Sequence, residues 1–218
     1  MDSKQYWDQK IISWEDSMQS GKPVPMIERL AAHFRGPLIY RANLAVEQLA
    51  PIIRGKRVLE LGCGSGFFAF NLMAKGSPAE YTGIDISPNA VARATTLAHE
   101  KGLDKQMTFM AGDVMSMSLP PADVVVGLGF LDYLTGEEIQ TLFSRLDAKY
   151  IFFSFSERRP SLLRIIHQMY LLSQNCPKHF YYTKDEMRRF VAPKFPDMQF
   201  FSNAKLSFAS IVHNLPKQ

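Results

Sequence analysis

Glu60, Gly62, Gly64 and Gly66 stand together in the stretch Val58-Leu59-Glu60-Leu61-Gly62-Cys63-Gly64-Ser65-Gly66. Glycines at alternate positions let a backbone turn sharply with positive φ and keep side chains away from a ligand lying against it. An apolar helical run opens at Phe67, so its free N–H groups and positive dipole end face the same place. The acid is the unusual member. Glu60 would repel a phosphate, whereas a ligand with a cationic or hydroxyl-bearing end would be held by it. Two further carboxylates follow the same pattern: Asp85 closes Glu80-Tyr-Thr-Gly-Ile-Asp85, and Asp113 follows Met107-Thr-Phe-Met-Ala-Gly112. Asp85 lies about 20 residues beyond the glycine turn, where a carboxylate can take both hydroxyls of a ribose. Asp113 is placed to meet an adenine amino group. Glycine turn, ribose acid and adenine acid together describe a nucleoside site.

These residues converge only if the chain supplies strands that end side by side. From Arg57 apolar strand runs (57–61, 80–85, 107–111, 122–128 and 150–155) alternate with helical segments, as in βαβ units around a parallel sheet. Ligands of such sheets bind outside the carboxyl ends of the strands. Ala122 to Leu128 is almost wholly apolar, as expected for a strand covered on both faces. Ser87-Pro88 predicts an N-cap with proline at the first helical position, and Thr135/Glu138 and Thr183/Glu186 carry capping-box spacing. Residues 1–54 predict three helices, broken at 21–25 and at Gly36-Pro37. Tyr6, Trp7, Ile11 and Trp14 share an aromatic face there, which reads as core. After the fifth strand, residues 156–182 carry an amphipathic helix (160–173) and the cluster His179-Phe-Tyr-Tyr182. A last helix (183–191) and two strands (198–202 and 205–213), expected to pair antiparallel, close the chain.

The 218 residues suit one domain: an N-terminal helical cap (1–54), a ligand-binding core (55–155), an insertion or lid (156–182) and a final helix with a strand pair (183–218). A net charge of +4 spread in small groups makes no basic stripe, so nucleic acid is not an expected partner. Two distant cysteines imply a reducing, cytoplasmic setting. The start of the chain has no apolar h-region, and no apolar run approaches the roughly 20 residues that span a bilayer, so neither secretion nor a membrane partner is expected. No His/Cys/Asp cluster has metal-ligand spacing, and no metal is expected.

Glu60-Leu-Gly-Cys-Gly-Ser-Gly66, Gly83-Ile-Asp85-Ile-Ser and Ala111-Gly-Asp113-Val resemble the three leading motifs of class I S-adenosylmethionine-dependent methyltransferases. The resemblance covers roughly Lys56 to Phe155 and agrees in order, spacing and strand context. It implies a Rossmann-like three-layer α/β sandwich, with a seven-stranded, mostly parallel sheet whose last strand is antiparallel. It also implies S-adenosylmethionine as cofactor, with Gly62, Gly64 and Gly66 as the cofactor turn. Glu60 would then lie near the cofactor's methionine part, Asp85 on ribose, Ile86 against adenine, and Asp113 with Val114 beside its amino group. Cys63 fits that turn as a small side chain. The segment Val126 to Tyr133, with Gly129, would form the wall between the cofactor and its acceptor. It lacks the Asn/Asp-Pro-Pro-Tyr/Phe pattern of many amino methyltransferases. A dehydrogenase is disfavoured by the Gly-x-Gly-x-Gly spacing and by Glu60; a non-catalytic nucleoside-binding module stays open.

Methyl transfer needs a base only if the acceptor must lose a proton. Asp132, His167 and Tyr170 are the candidates, with His179, Tyr181 and Tyr182 behind them; His167 and Tyr170 share a helix face. Arg41 is either a solvated cation or a clamp on the cofactor's carboxylate. Phe152 to His167 is similar to magnesium-protoporphyrin methyltransferases, which esterify a carboxylate. Lys10-Ile-Ile-Ser-Trp-Glu15 is similar to small methyltransferases of sugar and polysaccharide biosynthesis. The expectation is methylation of a small-molecule acceptor, at a hydroxyl, by a monomer or homodimer.

Overall fold

In the computed structural model the backbone is described for residues 3–19, 26–176 and 178–216, and side chains for 4–12, 36–176 and 178–216. The apolar runs after Lys56 form β1 (Arg57–Leu61), β2 (Glu80–Asp85), β3 (Met107–Ala111), β4 (Val124–Leu128) and β5 (Tyr150–Ser156), paired in parallel. β6 (Gln199–Phe201) and β7 (Ala209–His213) complete a sheet of order β3-β2-β1-β4-β5-β7-β6, in which β7 is antiparallel to both neighbours. The helices are α1 (Ser3–Gln19), α2 (Met26–Ile53), α3 (Phe67–Gly76), α4 (Pro88–Glu100), α5 (Gly136–Arg145), α6 (Leu162–Ser173) and α7 (Lys184–Val191).

Side chains alternate across the strands and fill two cores. Val58, Val124, Val126 and Phe152 pack with Ala45, Val46 and Leu49 of α2 and Leu72 of α3. Leu59, Leu61, Val125, Phe153 and Phe155 pack with Ile139 and Phe143 of α5 and Met187 of α7. Three layers result, as the resemblance implies. The chain leaves β1 for β2 on one side and returns to β4 on the other, so a crevice opens above their carboxyl ends.

Two expectations need correcting. Gly36-Pro37 does not break the chain into separate helices, because α2 runs continuously through Pro37. An internal proline costs about 3 kcal/mol in an isolated helix. Here Ala45, Val46, Leu49 and Ile53 are buried within a few per cent, and that burial offsets the lost backbone bond. The closing strands are also shorter than the pattern suggests. Asn203 accepts from the Leu206 amide (3.0 Å) and turns 204–206 into a 3-10 turn, so β7 begins only at Ala209.

The predicted caps form. Ser87 caps α4, with Pro88 at its first position, and Thr135 with Glu138 forms a capping box on α5. On α7 the Thr183 hydroxyl accepts from the Glu186 amide (3.1 Å), and the Glu186 carboxylate accepts from the Thr183 amide (2.8 Å). Thr183→Ala should cost about 1 kcal/mol, read as a lower urea midpoint with an unchanged slope. An unmoved midpoint would show that the cap contributes nothing.

Candidate functional site

A cavity of about 730 Å³ opens above the carboxyl ends of β1, β2 and β4, within the ordinary range for small-molecule sites. One half is built by the strand ends. Gly62, Gly64 and Gly66 all have positive φ (76°, 52° and 86°), so the turn needs glycine at each. Gly62, Cys63 and Gly64 line the cavity, whereas Gly66 lies behind it as the left-handed N-cap of α3, where a Cβ would meet Phe70 at 2.8 Å. Gly66 therefore shapes the turn and does not face a ligand. Cys63 is buried against Gly83.

The Asp85 carboxylate accepts from the Gly64 amide and from the Ser87 amide, each at 2.9 Å, and still borders the cavity. Burial pushes its pKa up, and these backbone amides pull it back down. Glu60 is buried at the cavity edge and accepts a hydrogen bond from the Tyr81 hydroxyl. Ile86, Asp113 and Val114 line the same end, with Asp113 accepting from the Met115 amide at 2.9 Å.

The other half is aromatic and lies under α1 and α6. Tyr6, Trp7 and Ile11 face the cavity, so the N-terminal aromatic face is buried as expected but against a ligand space; Trp14 lies outside the described side chains. Trp7 meets Tyr133 edge to face (5.0 Å), and Tyr133 meets His179 (5.5 Å). His179 meets His167 at 5.2 Å, and His167 Nδ1 lies 3.0 Å from the Tyr181 hydroxyl. Tyr170 also lines the cavity, one turn along from His167.

Arg41 is half-buried and not a freely solvated surface cation. Its guanidinium packs on Gly129, where a Cβ would lie 2.9 Å from Nη2, and its Nε is buried with no hydrogen-bond partner among the described residues. Burial lowers its pKa, and Asp132 opposes that shift. Asp132 is buried, accepting from the Ser156 amide (2.6 Å) and the Ser156 hydroxyl (3.1 Å). Its Oδ2 lies 4.0 Å from His179 Nε2, and burial raises its pKa. Burial drives both histidines down from 6.5 to about 4, with His179 adding to the shift on His167, so both are neutral near pH 7.

Residues 52–188, more than half of the chain, match the family described as a methyltransferase domain. The 27-O-demethylrifamycin SV methyltransferase of Amycolatopsis mediterranei (strain S699) is 35% identical over 88 residues, covering 39% of this chain and 32% of that protein. The ubiquinone biosynthesis O-methyltransferase of Pseudomonas entomophila (strain L48) is 28% identical over 165 residues, covering 73% of this chain and 65% of that protein. The chain thus spans less than two thirds of the length of either relative. The magnesium protoporphyrin IX methyltransferase of Synechocystis PCC 6803, with S-adenosylhomocysteine (SAH) bound, shares the fold: TM-score 0.73, 19% identity and 96% of each chain covered. The protein belongs to the class I S-adenosylmethionine-dependent methyltransferases. The residues present fit that cofactor: Gly62 and Gly64 line the cavity without side chains, Cys63 adds only a small one, and the carboxylates of Glu60, Asp85 and Asp113 border the same space. Arg41 lines the same space, with its Nε buried and unpaired among the described residues.

Sequence reasoning missed Asp8. It accepts from the Ser87 hydroxyl (2.8 Å), the Asn89 amide (3.0 Å) and the Asn89 side chain (2.9 Å), and so hangs α1 on the start of α4. An isolated acid in a helix gives no signal of that role. Tyr133, the end of the segment read from sequence as a wall, does line the cavity.

The histidines give the fold a pH dependence. A histidine at about 4 when folded and about 6.5 when unfolded binds more protons unfolded, so stability holds above about 6.5 and is lost as pH falls towards 4. The urea midpoint should fall over that window, and a His167→Asn/His179→Asn variant should show a flatter decline. Equal slopes for the two proteins would remove this account.

Proposed function

We propose that the protein transfers the methyl group of S-adenosylmethionine to the hydroxyl of a small-molecule acceptor, and that His179 removes the hydroxyl proton. One observation carries the reading. His179 borders the cavity with Nδ1 buried and unpartnered among the described residues, while Nε2 faces the Asp132 carboxylate at 4.0 Å.

When bound, the cofactor supplies a methyl on a sulfonium, which an acceptor displaces in line. The residues of this chain hold and orient. The Gly62–Gly64 backbone, Asp85 and Glu60 would hold the nucleoside and methionine ends, and Arg41 would clamp the carboxylate with its forked donors. The Asp132 charge, 4.0 Å away, would favour the tautomer with the proton on Nε2. A small rotation of the ring on acceptor binding would bring the buried Nδ1 lone pair to the hydroxyl. Its own oxygens already accept from Ser156, so Asp132 acts as the positioning residue and not as the base read from sequence. His167, held by Tyr181, and Tyr170 would shape the acceptor wall. A neutral histidine keeps its lone pair at pH 7. Its depressed pKa places its contribution at the low end of the usual ~10²–10⁴-fold. We place the reaction in biosynthetic metabolism, in the cytoplasm.

Titration calorimetry with SAH should show binding that Asp85→Ala weakens at least about tenfold, the size of one charged hydrogen bond. Equal affinities would remove the cofactor assignment. On a hydroxyl acceptor, His179→Ala should lower kcat about 10²-fold with SAH affinity and acceptor KM retained. An undiminished kcat would discard His179 as base. The same result on a carboxylate acceptor, which has no proton to lose, would favour the ester-forming reading raised by the magnesium-protoporphyrin resemblance.

A further inference from the structure

α6 turns one face to the cavity, through His167, Tyr170 and Leu171, and the opposite face to solvent. That outer face is a stripe of Leu162, Ile165, Met169 and Leu172, spaced three, four and three apart, and these side chains are 72%, 48%, 66% and 70% exposed. Most of the large exposed apolar side chains among the described residues lie on this one helix. Isolated exposed leucines need no explanation, but a contiguous stripe does.

The charged residues within the segment that carries the stripe are all cations, and acids stand only at its ends. From Arg158 to Lys184 the chain carries Arg158, Arg159, Arg164, Lys178 and Lys184 and no Asp or Glu. Arg158 and Arg159 are balanced by Glu186 and Glu157 at the ends of the segment. Arg164 lies over the Tyr181 ring, and Lys178 is exposed after the helix. Lys10 of α1 reaches the helix end, donating to Gln174 at 3.4 Å.

We propose that the outer face of α6 docks on an anionic lipid bilayer, with the helix lying in the interface. Two observations choose this occupant. Four side chains present on the order of a few hundred Å², well below the roughly 800 Å² per partner of a stable protein interface. A bilayer demands no matching surface and accepts a short apolar stripe together with basic flanks. A second copy would also bring the same cations against each other. The helix lies on the membrane and does not cross it; no helix among the described residues is long and apolar enough to span. The proposal is independent of the methyl-transfer reading.

The test is flotation of the full chain with vesicles of phosphatidylcholine and phosphatidylglycerol in equal parts, beside vesicles of phosphatidylcholine alone. The protein should float with the anionic vesicles at about 0.1 M salt and lose several-fold at about 0.5 M, where screening shortens the reach of its cations. Met169→Glu/Leu172→Glu should cut binding at least tenfold while SAH affinity by calorimetry stays at the wild-type value. Leu162→Gln, at the other end of the stripe, repeats the test should the double variant misfold. The proposal falls if the wild type ignores anionic vesicles or if the variants float as well as it does. It also falls if light scattering finds a dimer that the variants dissociate, since the face would then belong to a second copy.

Discussion

The Asp85 carboxylate ties the glycine turn after β1 to the start of α4, beyond the point where the pairing of β1 with β2 ends. One oxygen holds the Gly64 amide in the turn after β1, and the other holds the Ser87 amide at the start of α4. A buried carboxylate costs several kcal/mol unless its lone pairs are met, and two backbone amides offset that cost. The glycine turn gains a fixed shape from the arrangement, since its left-handed residues have no side chains to hold them. Ser87 and Asn89 pass the constraint on to Asp8, so α1 hangs from the same helix start. The roof of the cavity and its floor share one anchor.

The acceptor half rests on a second buried anion. Asp132 sits in the turn after β4, with Ser156 at the end of β5, His179 beside it and the Phe180 amide on its backbone carbonyl at 2.7 Å. The insertion is thereby stitched to the strand ends that it covers. Placing Arg41 near Asp132 limits the penalty of burying either charge, while burial itself keeps the two histidines neutral. A neutral imidazole in a water-poor wall can take a proton without a counter-ion having to leave.

What the sequence revealed divides along the same line. Glu60, the glycine turn and Asp85 were legible because each sits at a strand end, and strand register alone carries them together. Ser87, Thr135 and Thr183 were legible because a cap is local chemistry. The acceptor half depends on contacts that cross the chain, such as Trp7 with Tyr133 and Asp8 with Ser87, and no spacing rule announces them. Pro37 misled because the burial that overrides it lies in another layer. Arg41 stayed ambiguous because an arginine on a helix looks the same whether it faces water or a cavity.

α6 differs from the core helices in how it is held. It buries no residue fully, and its stability rests on the Ser161 cap, Arg164 bonded to the Arg159 carbonyl, and contacts of its inner face. Segments with few buried contacts open at low free energy, and α6 has the features of that class. An apolar outer stripe adds nothing to folding while it faces water, because burial is the only way such surface stabilises. It does lower the energy of any state in which that face is covered. A helix that is apolar on both sides therefore couples what lies inside the cavity to what lies outside it. Under the docking proposed above, covering the outer face would hold α6 in place and steady the cavity wall that its inner face forms.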